Sequence, residues 1–252
     1  MITVPDIVQF GTIYFGDVPH EAGAAYWYPG KNETELLDEP LCIGNTVDGK
    51  KLPFVRWRDK FVGTRGFCKN VPWNALNKAG YVYGAPVRID GKRYLCRCIQ
   101  GGATPRQPNE WDAILDEIGE ADAIWHWKNQ YFWAMDTPEM DSKMRVVRGY
   151  DSARNWTRTD RLTENVGIAF RPILEPLSEE PCICDELIGT QLTVYGPGNP
   201  IKGTLVDFSD YDLTLEPTSP LPSDQSDPWI LHADCKEIID RNKIVCVQKS
   251  LY

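Results

Sequence analysis

At 252 residues, with 42% hydrophobic and 25% charged side chains, the chain has the make-up of an ordinary globular protein and can bury a core without disulfide or metal support. Its net charge of −9 is uneven: residues 1–175 carry 22 Lys and Arg against 23 Asp and Glu, and residues 176–252 carry 5 against 13. Such asymmetry implies two units, and it excludes non-specific nucleic-acid or anionic-membrane binding through the second, because phosphate contacts need Lys and Arg.

The opening MITVPDIVQF holds Pro5 and Asp6 where a signal peptide would be apolar, and no run of about 18 apolar residues could span a bilayer. The expectation is a cytoplasmic protein, one that a phage could encode and make inside its host. Its eight cysteines, Cys42, Cys68, Cys96, Cys98, Cys182, Cys184, Cys235 and Cys246, are then free thiols.

Residues 5–15 alternate around Gly11 and predict two short strands. Residues 16–50 are broken by Pro and Gly. Residues 52–68 predict a strand and hairpin; Arg56, Arg58, Lys60 and Arg65 among its aromatics suit nucleic-acid stacking, but the balancing acids favour a solvated strand face. Asn70 to Gly80 predicts a short helix with Asn70 as its cap, and Asp90-Gly91 between β-prone runs predicts a two-residue hairpin. Asn109 caps a helix over NEWDAILDEIG, whose Trp111, Ile114, Leu115 and Ile118 fall on one face. Asp112, Asp116 and Glu117 fall on its polar side and read as a solvated surface. In IWHWKNQYFWAMDT, strand alternation sends Trp125 and Trp127 to one face and His126 to the other, with Asn129-Gln130 as the turn.

Two strand-like runs, Arg145 to Val147 before Gly149 and Gly167 to Leu174, enclose a polar, aromatic middle. Tyr150, Arg154, Asn155, Trp156, Arg158, Asp160, Arg161 and Asn165 cannot all be buried without partners, so they are expected to form an exposed contact surface, with Trp127 and Trp133 beside it. Tyr, Trp and Arg are the types enriched at binding hot spots. The alternative is that Arg148 and Arg171 are buried structural cations, that Trp156 belongs to the core, and that the rest is ordinary loop. Beyond a boundary at residues 175–182, short strands and turns predict a small SH3-like or Sm-like β-barrel, giving domains 1–177 and 178–252.

The RGY at 148–150, the SAR at 152–154, the closing GxxFRPxLE at 167–175, the stretch from Trp73 to Tyr94 and the NEWD at 109–112 carry a resemblance. They resemble the C-type-lectin-like fold of bacterial and phage proteins, which include formylglycine-generating enzymes and the variable ligand-binding proteins of diversity-generating retroelements. The resemblance covers residues 5–176. It implies an α+β fold, a first strand lying beside Gly167 to Leu174, and final loops gathered on one face. The oxidase activity does not follow, because those enzymes hold copper through a cysteine pair near this stretch and no Cys lies between Cys98 and Cys182.

No cofactor or metal is expected. Cys96-x-Cys98 and Cys182-x-Cys184 lack zinc-knuckle spacing, His20, His126 and His232 form no ligand pattern, and no nucleophile-elbow, phosphate-loop or zincin motif is present. The expected function is non-enzymatic recognition of a protein or other macromolecular ligand, phage-associated and directed at a host receptor or defence factor. The alternative is a structural component that forms a homo-oligomer through the C-terminal barrel.

Overall fold

The computed structural model describes residues 5–26, 40–139, 141–161, 167–177, 181–196, 200–218 and 230–250. Strands take 47% of these and helices 12%, so the expected α+β class is corrected to nearly all-β. The chain divides into two compact units, residues 1–82 with 87–176, and residues 83–86 with 177–252.

The strands before residue 177 are β1 (Ile7–Phe10), β2 (Thr12–Phe15), β3 (Val18–His20), β4 (Ala24–Ala25), β5 (Leu41–Gly44), β6 (Leu52–Trp57), β7 (Lys60–Gly63) and β8 (Cys68–Lys69). They continue with β9 (Ala85–Ile89), β10 (Lys92–Cys98), β11 (Tyr131–Trp133), β12 (Met144–Gly149), β13 (Trp156–Asp160), β14 (Ile168–Phe170) and β15 (Pro172–Pro176). Three helices accompany them among the described residues: α1 (Trp73–Lys78), α2 (Glu110–Ile118) and α3 (Asp122–Trp125). The sheets run β1-β6-β7-β15-β10-β9, β13-β12-β11-β14-β8-β4 and β3-β2-β5.

Local chemistry explains most of these boundaries. Gly11, at φ +69°, turns the chain out of one sheet and into another. The Asp90-Gly91 hairpin has φ of +49° and +80°, the pair of left-handed residues that a type I′ turn requires. The Asn109 side chain accepts the Asp112 N–H at 2.9 Å, which caps α2, and Gly119 ends it. Asn70 does not cap α1: the helix begins at Trp73 behind Pro72, and Asn70 stands left-handed two residues earlier. Trp125 sits in α3 rather than on an alternating strand, because left-handed His126 and Asn129 bend the chain before β11 begins. The first strand pairs with β6, Ile7 opposite Val55, and lies in the same sheet as β15 but with two strands between them, so the expected pairing with residues 167–174 is corrected.

The apolar stripe of α2 closes the core. Trp111, Ile114 and Leu115 pack with Val55, Trp57, Val62, Phe132 and Ile173, so one cluster draws on two sheets and the helix. Each such side chain contributes about 1.5–3 kcal/mol. Charge fixes the helix in register. Glu110, its first residue, takes two hydrogen bonds of 2.8 Å from Arg97 on β10, and Lys60 on β7 lies 3.2 Å from it. Glu175 on β15 receives the Arg97 Nε at 2.6 Å and lies 3.3 Å from Lys60, so two cations and two anions close a ring.

The second unit holds β16 (Gln191–Tyr195), β17 (Ile201–Phe208), β18 (Asp212–Pro217), β19 (Ile230–Ala233), β20 (Lys236–Asp240) and β21 (Cys246–Lys249). They form one antiparallel sheet, β19-β20-β18-β17-β16-β21, with β19 and β21 at opposite edges. The expected SH3-like or Sm-like barrel is therefore corrected to an open sheet. Short strands with one apolar face, as in β17 where Ile201, Gly203 and Leu205 are buried and Lys202 and Asp207 are exposed, read the same in either arrangement. The sequence also hides β20, because its hairpin turns on Asp234 and Cys235, both left-handed and neither a glycine.

Burial alone would raise the Glu110 carboxyl, but the hydrogen bonds and charge of Arg97 hold it down at about 2 against an ordinary 4.5. A depressed carboxylate contributes stability above its unfolded value and loses it as the pH falls through its folded value. Glu110→Gln is expected to cost on the order of 3 kcal/mol in urea denaturation at neutral pH. The gap from the native chain should close between about pH 4.5 and 2; a gap that does not change with pH contradicts this role.

Candidate ligand-binding face

The arginine-rich middle is less free than its composition implies. Trp156–Asp160 is strand β13, antiparallel to β12 with Arg148 opposite Trp156. Arg148 is buried: it donates to the Gly101 carbonyl at 2.8 Å and to Asp112 on α2. Arg154 reaches the same helix, donating to Asp116 at 2.7 Å and to Glu120, with Asp112 at 3.7 Å. The hydrogen bonds to Glu120 and Asp116 raise its already high pKa, so an arginine expected to meet a ligand is engaged by three acids. Asp116 and Glu117 are exposed, as expected of a solvated face, but all three acids are paired with arginines: Asp112 with Arg148, Asp116 with Arg154, and Glu117 with Arg58, Glu117 also accepting from the Trp57 indole at 2.8 Å.

Indole N–H groups staple the loops. All seven described tryptophans donate: Trp57 to Glu117, Trp73 to the Ala134 carbonyl, Trp111 to Ala153, Trp125 to Gly119, Trp127 to Glu120, Trp133 to Val71 and Trp156 to Gly102. Each carbonyl so reached gains a partner that an irregular backbone does not otherwise supply. Trp133 is 0% exposed, so its expected contact role is corrected: it cannot touch a ligand. Trp127 packs half-buried against the core, and Asn155 holds the turn by donating to the Gly149 carbonyl at 2.8 Å. Gly149 itself is required, since a Cβ there would lie 2.7 Å from the Gln130 carbonyl oxygen.

Arg171, 2% exposed, is held inside differently. Its guanidinium lies 3.6 Å from the Phe132 ring centroid and 5.0 Å from that of Trp111, and it donates to the Trp125 carbonyl. Burial pushes its pKa down to about 9, with Asp122 opposing, so it stays charged at neutral pH.

Of the expected contact residues, Tyr150, Arg158, Asp160 and Arg161 are exposed, as is the acid-paired Arg154, while Asn165 lies outside the described residues. Tyr150 has φ +81°, a conformation that costs a side-chain-bearing residue about 1 kcal/mol or more. The strain is held by the segment beside it. Tyr150 N–H donates to the Trp127 carbonyl at 2.9 Å, its own carbonyl accepts from Asn129 at 3.0 Å, and its ring stacks on Tyr131 with centroids 4.6 Å apart.

That neighbouring segment lines a cleft of 330 Å³, whose walls carry Arg65, Lys69, His126, Lys128, Asn129 and Gln130. Arg65, Lys69 and Lys128 are exposed, and among the described residues no carboxylate lines the cleft. Sequence reasoning passed over these residues. Arg65 was absorbed into a balanced strand face, and Asn129-Gln130 read as a turn; the available signal was the cations at 65, 69 and 128 flanking glycine and asparagine. Among the described residues no group of three or more His, Cys, Asp or Glu side chains is placed to hold a metal ion. Cys68, Cys96 and Cys98 are buried, and burial raises all three thiols.

No protein-family model, curated protein or solved structure matches the chain.

The contrast between the two arginines is measurable. Arg148→Met removes a buried cation and is expected to cost about 3 kcal/mol or more. Arg154→Ala, acting on exposed pairs, is expected to cost about 1 kcal/mol. Equal losses in urea denaturation would contradict this assignment.

Proposed function

We propose that the chain is a non-enzymatic recognition protein that holds a protein ligand on the face formed by the cleft of Arg65, Lys69 and Lys128 and by the Tyr131–Tyr150 pair. One observation carries the reading: the cations around α2 are neutralised within the fold, whereas those of the cleft face solvent and form no ion pair with a carboxylate among the described residues. A strained, exposed aromatic next to such a cleft is the combination that recognition surfaces use. The motif resemblance to variable ligand-binding proteins points the same way, and a phage-associated protein directed at a host factor is the setting we propose. Asn155, Trp156 and Arg154 then act as supports of the face, and Arg158 and Arg161 as its outer rim.

A second reading, self-assembly through the second unit, is favoured by the open edge of β19. There Leu231 is 62% exposed and Tyr211 75%, and both line a groove of 440 Å³.

One experiment separates the two. A photo-crosslinking amino acid is placed at position 150 or at position 231 of the full chain, in cells, and the adducts are identified by mass spectrometry. Recognition predicts adducts to one heterologous protein from position 150. Adducts confined to position 231 and made with a second copy of the chain would replace it with the assembly reading.

A further inference from the structure

We infer that the cleft is a carboxylate-binding subsite that receives an acidic segment of a protein ligand; this inference rests on the recognition reading of that face. Its cations are arranged differently from the arginines that pair with the acids of α2. Arg97, Arg148 and Arg154 each meet at least one carboxylate, and Arg154 meets three. Arg65 instead meets an imidazole, its Nη2 lying 3.1 Å from His126 Nε2.

The proton on that imidazole can be placed. His126 Nδ1 lies 3.2 Å from the Ile124 carbonyl, which can only accept, so Nδ1 carries the hydrogen. Nε2 then presents its lone pair to Arg65. In that tautomer His126 accepts from Arg65 and orients the guanidinium without adding a carboxylate, and four of the five guanidinium N–H donors remain for a ligand. A planar fork of this kind matches a carboxylate with two parallel hydrogen bonds.

Lys69 and Lys128 add charge from two other walls. A Cβ at Gly23 would lie 3.8 Å from Lys69 Cε, which places that side chain along the cleft wall. The acid nearest to Lys128 in sequence, Asp122, is held on the Lys128 backbone N–H at 2.8 Å. Gly66 fixes the wall between Arg65 and β14: a Cβ there would stand 2.4 Å from Ala169 Cβ, so only glycine lets the cation-bearing loop lie against the sheet.

The dimensions select the ligand. A cleft of 330 Å³ with three cations takes one or two acidic side chains, whereas nucleic-acid strands are bound along grooves with successive open aromatic platforms. Here Tyr131 and Tyr150 cover one face of each other at an interplanar angle of 11°. The second unit, with 5 Lys and Arg against 13 Asp and Glu, also disfavours a long polyanion.

The test uses the full chain and fluorescein-labelled hexaglutamate, read by fluorescence anisotropy at low ionic strength. Saturable binding is expected, weakened about tenfold or more by the Arg65→Ala/Lys128→Ala double substitution. Binding should be retained by Lys128→Arg and by Lys92→Ala on an exposed strand position. An unchanged thermal midpoint for the alanine variant separates loss of the site from loss of the fold. The proposal is overturned if hexaglutamate does not bind or if the alanine variant binds it as well as the native chain. Tighter binding of inorganic phosphate, or of labelled hexathymidylate, would assign the cleft to phosphate or nucleic acid and overturn it too. Crosslinking from position 150 without hexaglutamate binding would sink the carboxylate subsite and leave the recognition reading standing.

Discussion

The first unit depends on the pairing of one short acidic helix with cations brought from distant strands. Helix α2 carries Glu110, Asp112, Asp116 and Glu117, and each meets an arginine: Arg97, Arg148, Arg154 and Arg58 in turn. Those arginines come from β10, β12, the loop after β12 and the β6–β7 turn, so a nine-residue helix gathers elements of two sheets. Hydrophobic burial of Trp111, Ile114 and Leu115 supplies most of the driving force, but it is non-directional. The charge pairs select the rotation and register in which that stripe is buried. Leaving one of the buried partners alone inside the unit would cost several kcal/mol.

This pairing also sorts the surface. A cation held by carboxylates offers little to a ligand, because a newcomer must displace acids that are already in place. Arg154 is 39% exposed and yet engaged by three acids, which is why exposure alone misidentifies it as a contact residue. Arg65, Lys69 and Lys128 lie where the acids of α2 do not reach. The backbone around them is unusual as well: His126, Asn129 and Tyr150 are all left-handed without being glycine, and that geometry is held by the hydrogen bond that Tyr150 donates to the Trp127 carbonyl and the one it accepts from Asn129.

Short-range chemistry was legible in the sequence, and long-range partnership was not. The Asp90-Gly91 hairpin, the Asn109 cap and the Gly11 break are set by residues within a few positions of each other, and each lies where its pattern places it. The class was misread because α1 and α3 run for only six and four residues, so one substantial helix stands among many short strands. The barrel was misread because closure depends on whether β19 meets β21, which no alternation of side chains encodes. That Asp112, Asp116 and Glu117 are paired was not legible, because their arginine partners lie 36 to 59 positions away. Trp133 looked available because a β-prone aromatic run does not reveal that its indole reaches Val71.

The account's central claim is that α2 consumes the arginines around it and leaves those of the cleft free to meet a ligand. The most direct test is the rate at which phenylglyoxal modifies each arginine of the native chain, mapped by peptide mass spectrometry. Arg65 is expected to react fast, Arg97, Arg148 and Arg171 to resist, and Arg154 to react slowly despite its exposure. If Arg154 reacted as fast as Arg65, the acids of α2 would not be holding it, and the division between structural and ligand-facing cations would fail.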